Sequence, residues 1–164
     1  RYSADARSEA AEWIVKARGH HGLSAVTAML AVRCLDRFLR RFFCPGNGRE
    51  EKPWVAQLGA VACLSIAAKA VESAAPLLSD LQVGGAEFVF EAKSIRRMEV
   101  VVLSTLQWRL SPATPLSFVG HMAGMVGFEN RFVCSEFVRR CERLLLVLIL
   151  DSRILGFLPS VLAM

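Results

Sequence analysis

A chain of 164 residues, 54% hydrophobic and 21% charged, has room for one ordinary domain or two small ones and is too apolar to be disordered. Its 20 Lys and Arg against 15 Asp and Glu leave a net charge of +5, which allows an acidic partner; no basic run exceeds two residues, which argues against a nucleic-acid-binding tail. Five cysteines without a C-x-x-C pair speak against the usual zinc and thiol-redox motifs and suit reduced thiols in a protein of the nucleus or cytoplasm.

Residues 5–18 read as a first helix, with Trp13 and Ile14 its strongest apolar residues and the G-H-H-G that follows its stop signal. His20 and His21 are adjacent, so they do not share a helical face, and no third ligand lies nearby; no metal is expected. Ser24 is the expected N-cap of a second helix, in which Ala31, Leu35, Phe38 and Phe42 recur at helical spacing through 26–43. The C-P-G-N-G-R-E-E-K-P of 44–53 is a loop by composition. From Trp54 to Glu72 the chain is apolar on nearly every face, with Pro53 at its first turn. Gln57, Ser65 and Lys69 interrupt it, and it falls short of the roughly 20 apolar residues of a membrane span; it is expected to be the central helix of an all-α domain.

Only a short helix or turn is expected near 77–82, and a long helix over 87–107, with Ile95, Met98, Val102 and Leu106 on its core stripe. The Q-W-R-L-S-P-A-T-P of 107–115 is a linker, after which the pattern restarts: a helix from Pro115 to about Met125, a turn at 127–130, and a long helix over 132–152. Its L-L-L-V-L-I-L at 144–150 is expected to be a buried core segment, and a further apolar helix begins at 159–164. The order helix, long helix, apolar helix thus occurs twice, which points to a tandem repeat of an all-α unit with an incomplete second copy, as in a fragment.

No catalytic set stands out. G-x-S-x-G, H-E-x-x-H and the phosphate-binding G-x-x-x-x-G-K-[ST] are absent, and His20, His21 and His121 lack an obvious carboxylate partner, so the chain is not expected to be an enzyme. The unusual charges are Lys69, near the end of the apolar helix, and Glu99, whose neighbours at helical spacing are Ile95, Leu103 and Leu106. A charge among apolar neighbours is costly unless paired. Lys69 could pair internally with Glu72 at i+3 or with Glu99 between helices. Alternatively, the heads of Lys69 and Glu99 reach the surface together and hydrogen-bond a partner's backbone. Arg7 and Asp36 form a second candidate pair, bracing the first two helices.

Four motifs carry a family resemblance: A-V-R-C-L-D-R-F-L at 31–39, L-G-A-V-A-C-L-S-I-A-A-K at 58–69, R-R-M-E-V-V-V-L-S-T-L-Q-W at 96–108, and T-P-L-S-F-V-G-H at 114–121 with L-P-S-V at 158–161. Together they resemble the cyclins, most of all the D-type cyclins of plants that act at the G1/S transition. The resemblance implies an N-terminal cyclin box over 1–111, a five-helix bundle around a buried central helix, and the start of a truncated second cyclin fold over 112–164. It implies a regulatory subunit that binds and activates a cyclin-dependent serine/threonine kinase, needing no cofactor and making no membrane contact. Lys69 and Glu99 match the family's kinase-gripping residues, and Glu72 belongs to the same contact; Arg7, Asp36 and Leu58 match its structural brace.

This sequence also departs from the family. Where members often read K-x-E-E, here Lys69-Ala70-Val71-Glu72 has lost one acid. The family's substrate-docking groove keeps only Trp13 and Gln57, with Ala6, Glu9, Ala10, Lys16 and Ala56 in place of larger apolar walls, so docking of R-x-L peptides is not expected. The resemblance further implies retinoblastoma-type proteins and kinase inhibitors as partners, although the L-x-C-x-E motif of plant D-type cyclins is not among these residues. Two other readings compete. One is a nucleic-acid-binding relative of the same fold, of the TFIIB type, using Arg37, Arg40, Arg41, Arg139, Arg140 and Arg143; these alternate with Phe in the manner of a solvated helix face. The other is a cyclin that serves as an adaptor without activating a kinase.

Overall fold

The computed structural model describes residues 4–43, 52–82, 88–110, 113–127 and 130–151. The described secondary structure is helical throughout, and the chain divides into two compact units, Arg1–Leu110 and Ser111–Met164.

Helix α1 of the first unit spans Ala4–His21 and buries Ala10, Ala11, Ile14 and Ala17. It runs past the expected stop at Gly19 and ends where Gly22 takes φ of 63°. There the Leu23 N–H reaches Arg18 O at 3.0 Å and the Gly22 N–H reaches Gly19 O at 3.4 Å, the pairing of a left-handed C-terminal cap, and Leu23 seals it by being buried. Helix α2, Ala25–Phe42, begins as expected on Ser24, whose side chain accepts from the Thr27 N–H at 3.2 Å. Ala31, Leu35 and Phe38 of its expected stripe are fully buried, with Leu39 beside them, whereas Phe42 is only half-buried.

Helix α3, Pro53–Val71, is the hub: α1, α2 and α4 (Ala92–Thr105) all pack on it, and every residue from Val55 to Ala68 except Gln57 is buried. Its 19 residues and mean hydropathy of 1.6 do reach the length and apolarity of a membrane crossing, contrary to the sequence expectation. Three packed neighbours account for that apolarity instead, because a helix enclosed by other helices has no polar face to keep. Gly59 permits the closest approach: a Cβ there would lie 3.1 Å from a ring carbon of Phe38, itself wholly buried. Gly59→Val is therefore expected to lower unfolding stability by about 1–3 kcal/mol through overpacking, read from urea denaturation. An unchanged midpoint would mean that α2 and α3 yield at this point.

Between α3 and α4 the structure has the turn that was one of the two forms expected near 77–82, in which the Asp80 and Leu81 N–H groups reach Leu77 O at 3.0 and 3.1 Å. The unit therefore has four helices among its described residues, where five were expected. Helix α4 starts at Ala92 rather than 87, because Phe88–Phe90 is non-helical backbone. The Gln82 amide imitates a strand partner there: its Nε2 donates to Phe90 O and its Oε1 accepts from Phe90 N. Gly84 and Gly85 lie outside the described residues.

Helix α4 buries the expected stripe of Ile95, Met98 and Val102, continued by Leu106. It ends on two non-glycine residues of positive φ, Gln107 at 55° and Trp108 at 57°, a conformation that costs an L-residue roughly 1–2 kcal/mol. Holding this turn are Trp108 N–H to Leu103 O at 2.8 Å and two guanidinium groups from α2: Arg37 donates to Arg109 O at 2.8 Å and Arg41 to Thr105 O at 2.9 Å.

The second unit contains α5, Pro115–Val126, packed on α6, Arg131–Leu148. Gly127 at φ 66° ends α5, and the Asn130 side chain caps α6 by accepting from the Phe132 N–H at 2.8 Å. The stretch 144–150 is not the wholly buried segment expected: Leu145 and Ile149 are buried, whereas Leu144, Val147 and Leu148 are exposed. The expected helix at 159–164 lies outside the described residues, as does Cys44.

Candidate partner-binding site

The buried body of α3 ends at Ala68, and its last three residues, Lys69, Ala70 and Val71, are exposed. Beside them, on α4, Glu99 follows the buried Met98 and precedes the exposed Val100. Lys69 Nζ donates to Glu99 Oε1 at 2.6 Å. Of the two internal pairings considered, the structure has the one between helices; Glu72 is not Lys69's partner. The pair nonetheless lies at the surface, with the Lys69 side chain 49% and the Glu99 side chain 12% exposed. An ammonium with three donors thus keeps some of them toward solvent, next to a mostly covered carboxylate and two exposed valines.

Glu72 turns the other way. Its Oε1 accepts from the backbone N–H of Ser24 at 2.8 Å and from the Thr27 hydroxyl at 2.5 Å, both at the start of α2. These two bonds, the Thr27 one first, hold its carboxyl below the usual glutamate value.

Arg7 on α1 and Asp36 on α2 meet in a two-pronged ion pair, Nε to Oδ1 at 2.9 Å and Nη2 to Oδ2 at 3.1 Å, with side chains only 4% and 9% exposed. Burial pushes the Asp36 carboxyl above its ordinary value while the Arg7 hydrogen bonds pull it back. Leu58 is buried on α3.

Trp13 and Gln57 share a cleft of about 330 Å³ with Glu9, Glu12, Lys16 and Phe88. Its remaining lining is small, Ala6, Ala10 and Ala56 beside Pro53, as the sequence suggested. Phe88 is the wall that sequence reasoning missed. The sequence expectation puts it at the start of a helix, whereas in the structure it lies in non-helical backbone that the Gln82 amide bonds at Phe90, and it lines the cleft with residues of α1 and α3.

The remaining candidates do not gather into a site. His20 and His21 touch only ring to ring, at 5.0 Å, and no group of three or more metal-ligating side chains occurs among the described residues. Cys34 and Cys63 are free thiols buried in the core, and burial raises both above the ordinary value, Cys34 to about 11, which keeps them protonated and unreactive at neutral pH. Of the six arginines considered for phosphate binding, Arg37 and Arg41 close the end of α4, and Arg139 and Arg140 pair with Glu136 at 2.7 and 3.0 Å.

Known proteins agree with this architecture. Cyclin-D3-3 of Arabidopsis thaliana is 50% identical over 159 residues, covering 96% of this chain and 42% of that protein. Cyclin-D3-1 of Arabidopsis thaliana is 46% identical over 162 residues, covering 99% of this chain and 42% of the relative. Cyclin-D1-1 of Oryza sativa subsp. japonica is 45% identical over 138 residues, covering 84% of this chain and 37% of the relative. The chain therefore spans less than half the length of these relatives. Among solved structures, a viral cyclin from Herpesvirus saimiri superposes with a TM-score of 0.82 at 16% identity, over 98% of this chain and 66% of the viral one, which shows a shared fold. Residues 1–111 match the family described as "Cyclin, N-terminal domain". An all-helical unit built around an apolar α3, with Lys69 and Glu99 paired at its edge, is thus the cyclin fold, and the chain belongs to the cyclin family.

Proposed function

We propose that this chain is the kinase-regulating part of a D-type cyclin: it binds a cyclin-dependent serine/threonine kinase at the Lys69–Glu99 edge and activates it, at the G1/S transition of the cell cycle. The observation that carries this reading is the ion pair itself, formed between two packed helices yet half open to solvent on its lysine side. The contrast is with Arg7 and Asp36, an ion pair closed to solvent on both sides, which leaves no group open to a partner. A donor and an acceptor held side by side suit the paired C=O and N–H groups of a partner's backbone, and covering them on binding would strengthen each bond. Resemblance to the family supplies the partner's chemistry, and relatives named as D-type cyclins support it.

Activation then follows from differential affinity. The kinase interconverts between a form with its αC glutamate turned away from its strand lysine and a form with the two paired. A rigid helical platform that fits only the second shifts the population toward it by the difference in binding free energy. The cyclin makes and breaks no covalent bond. Four of the six candidate arginines hold carbonyls or carboxylates of the chain itself, which favours this reading over phosphate binding. The test is co-purification with a recombinant cyclin-dependent kinase, followed by phosphorylation of a histone or retinoblastoma-type substrate. Capture with kinase activity is the expected result; capture without activity would favour the adaptor, and steeply salt-dependent DNA binding without capture would favour the nucleic-acid reading.

A further inference from the structure

Lys69 stands on a turn that the core does not hold. The last buried residue of α3 is Ala68, and Lys69, Ala70 and Val71 all face solvent. A terminal turn without buried side chains frays unless something beyond it is fixed. What is fixed beyond it is Glu72, the C-cap residue, whose own N–H closes the turn on Ala68 O at 2.9 Å. Its side chain crosses to α2, where the N-cap Ser24 and the third helical residue Thr27 form the reciprocal pair of a capping box with one part missing. Ser24 Oγ accepts from Thr27 N at 3.2 Å, but residue 27 has no carboxylate to reach back to the Ser24 N–H. Glu72 supplies that carboxylate from another helix, accepting from the Ser24 N–H and the Thr27 hydroxyl with one oxygen. Because the Thr27 proton points to Glu72, the 2.9 Å contact between the hydroxyls has Ser24 as donor, and every hydrogen in the cluster is accounted for. No acidic residue lies in the first turn of α2, so Glu72 is also the negative charge that the N-terminus of this helix favours.

We infer that Glu72 is a positioning residue: it completes the cap of α2 from the end of α3, and by anchoring that end it fixes where Lys69 presents its ammonium, without itself touching the kinase. This rests on the proposed grip of Lys69 and Glu99, and it gives Glu72 a different role from the direct contact that the family resemblance implies.

Thr27 makes the inference testable, because it is wholly buried and beyond any partner's reach. Binding of the 164-residue chain to a recombinant Arabidopsis thaliana cyclin-dependent kinase would be measured by calorimetry for Glu72→Gln, Thr27→Val, the double variant, Thr27→Ser and Lys69→Ala. The temperature is set where circular dichroism finds all five folded. Glu72→Gln and Thr27→Val should each weaken binding about three- to tenfold. The double variant should be no weaker than the worse single, and Thr27→Ser, which keeps the hydroxyl, should bind like the original. Amide exchange at Ala70 and Val71 should quicken in both single variants, a readout that remains if a binding measurement is compromised by low stability. Weak binding by Glu72→Gln with normal binding by Thr27→Val would overturn the inference in favour of direct contact. Normal binding by both would overturn it as well. Normal binding by Lys69→Ala would remove the grip itself, and with it both this inference and the site proposed for the kinase; weakened Lys69→Ala beside normal clasp variants would spare the grip alone.

Discussion

Lys69→Ala is expected to weaken kinase binding by about 30- to 1,000-fold, the effect of truncating one partner of a hydrogen-bonded charge pair that binding buries. The unbound chain should scarcely register the change. Lys69 is 49% exposed, and an ion pair so open to water contributes no more than about 1 kcal/mol to folding. Glu99→Ala should follow the same pattern, since Lys69 loses its carboxylate but keeps its solvent. The discriminating measurement sets the kinase dissociation constant beside the urea midpoint. Affinity should fall while the midpoint barely moves. Wild-type affinity in both variants would sink the assignment, and a loss of midpoint as large as the loss of affinity would return the pair to a purely internal role.

Asp36→Ala should do the reverse, lowering stability by about 3–5 kcal/mol and affecting binding only as far as the fold suffers. The Arg7–Asp36 pair is almost closed to solvent, so removing the carboxylate leaves a guanidinium buried without its ionic partner. The expected loss comes from that exposed desolvation cost, not from a large net gain of the pair over an apolar one. Burial already lifts the Asp36 carboxyl above its ordinary value. A raised carboxyl disfavours folding progressively as pH rises through the window between its unfolded and folded values. Acid should therefore not unfold the chain through Asp36 alone, in contrast to Glu72. The Glu72 carboxyl is held low, so its contribution is present above the unfolded glutamate value and is lost as pH falls through the depressed folded one. The companion variant Arg7→Met with Asp36→Leu should recover much of the stability lost in Asp36→Ala, because an apolar pair of similar volume carries no desolvation cost. Chemical denaturation of the three chains decides this. A double variant as unstable as the single would show that the brace depends on the geometry of the ion pair.

Much of the first unit could be read locally. Ser24 caps α2 because a short side-chain oxygen before an apolar periodic stretch has little else to do, and α2's stripe is the one its spacing foretells as far as Phe38, with Phe42 only half-buried. The ends of helices were less legible. Helix α1 ran three residues past its expected end to His21, since Gly19 is tolerated within a helix and only Gly22 adopts the left-handed conformation. The start of α4 was misplaced because Phe88–Phe90 has no local signal against helix; the amide of Gln82, several residues away, takes the Phe90 N–H and C=O in non-helical backbone. The segment at 144–150 looked like core because seven apolar residues in a row carry no direction, whereas only Leu145 within α6 and Ile149 just after it are buried.

The division at the site is sharper. Sequence by itself determined the all-α class, the apolar α3 as hub, and the presence of two unusual charges, Lys69 and Glu99, among apolar neighbours along the chain. It did so because periodicity and composition are properties of neighbours along the chain. Only the tertiary structure decided which carboxylate Lys69 takes, where Glu72 reaches, and that Phe88 walls the cleft beside Trp13. Each of these is a contact across at least 30 residues, set by how α1, α2 and α4 seat against α3 rather than by any residue's nearest neighbours.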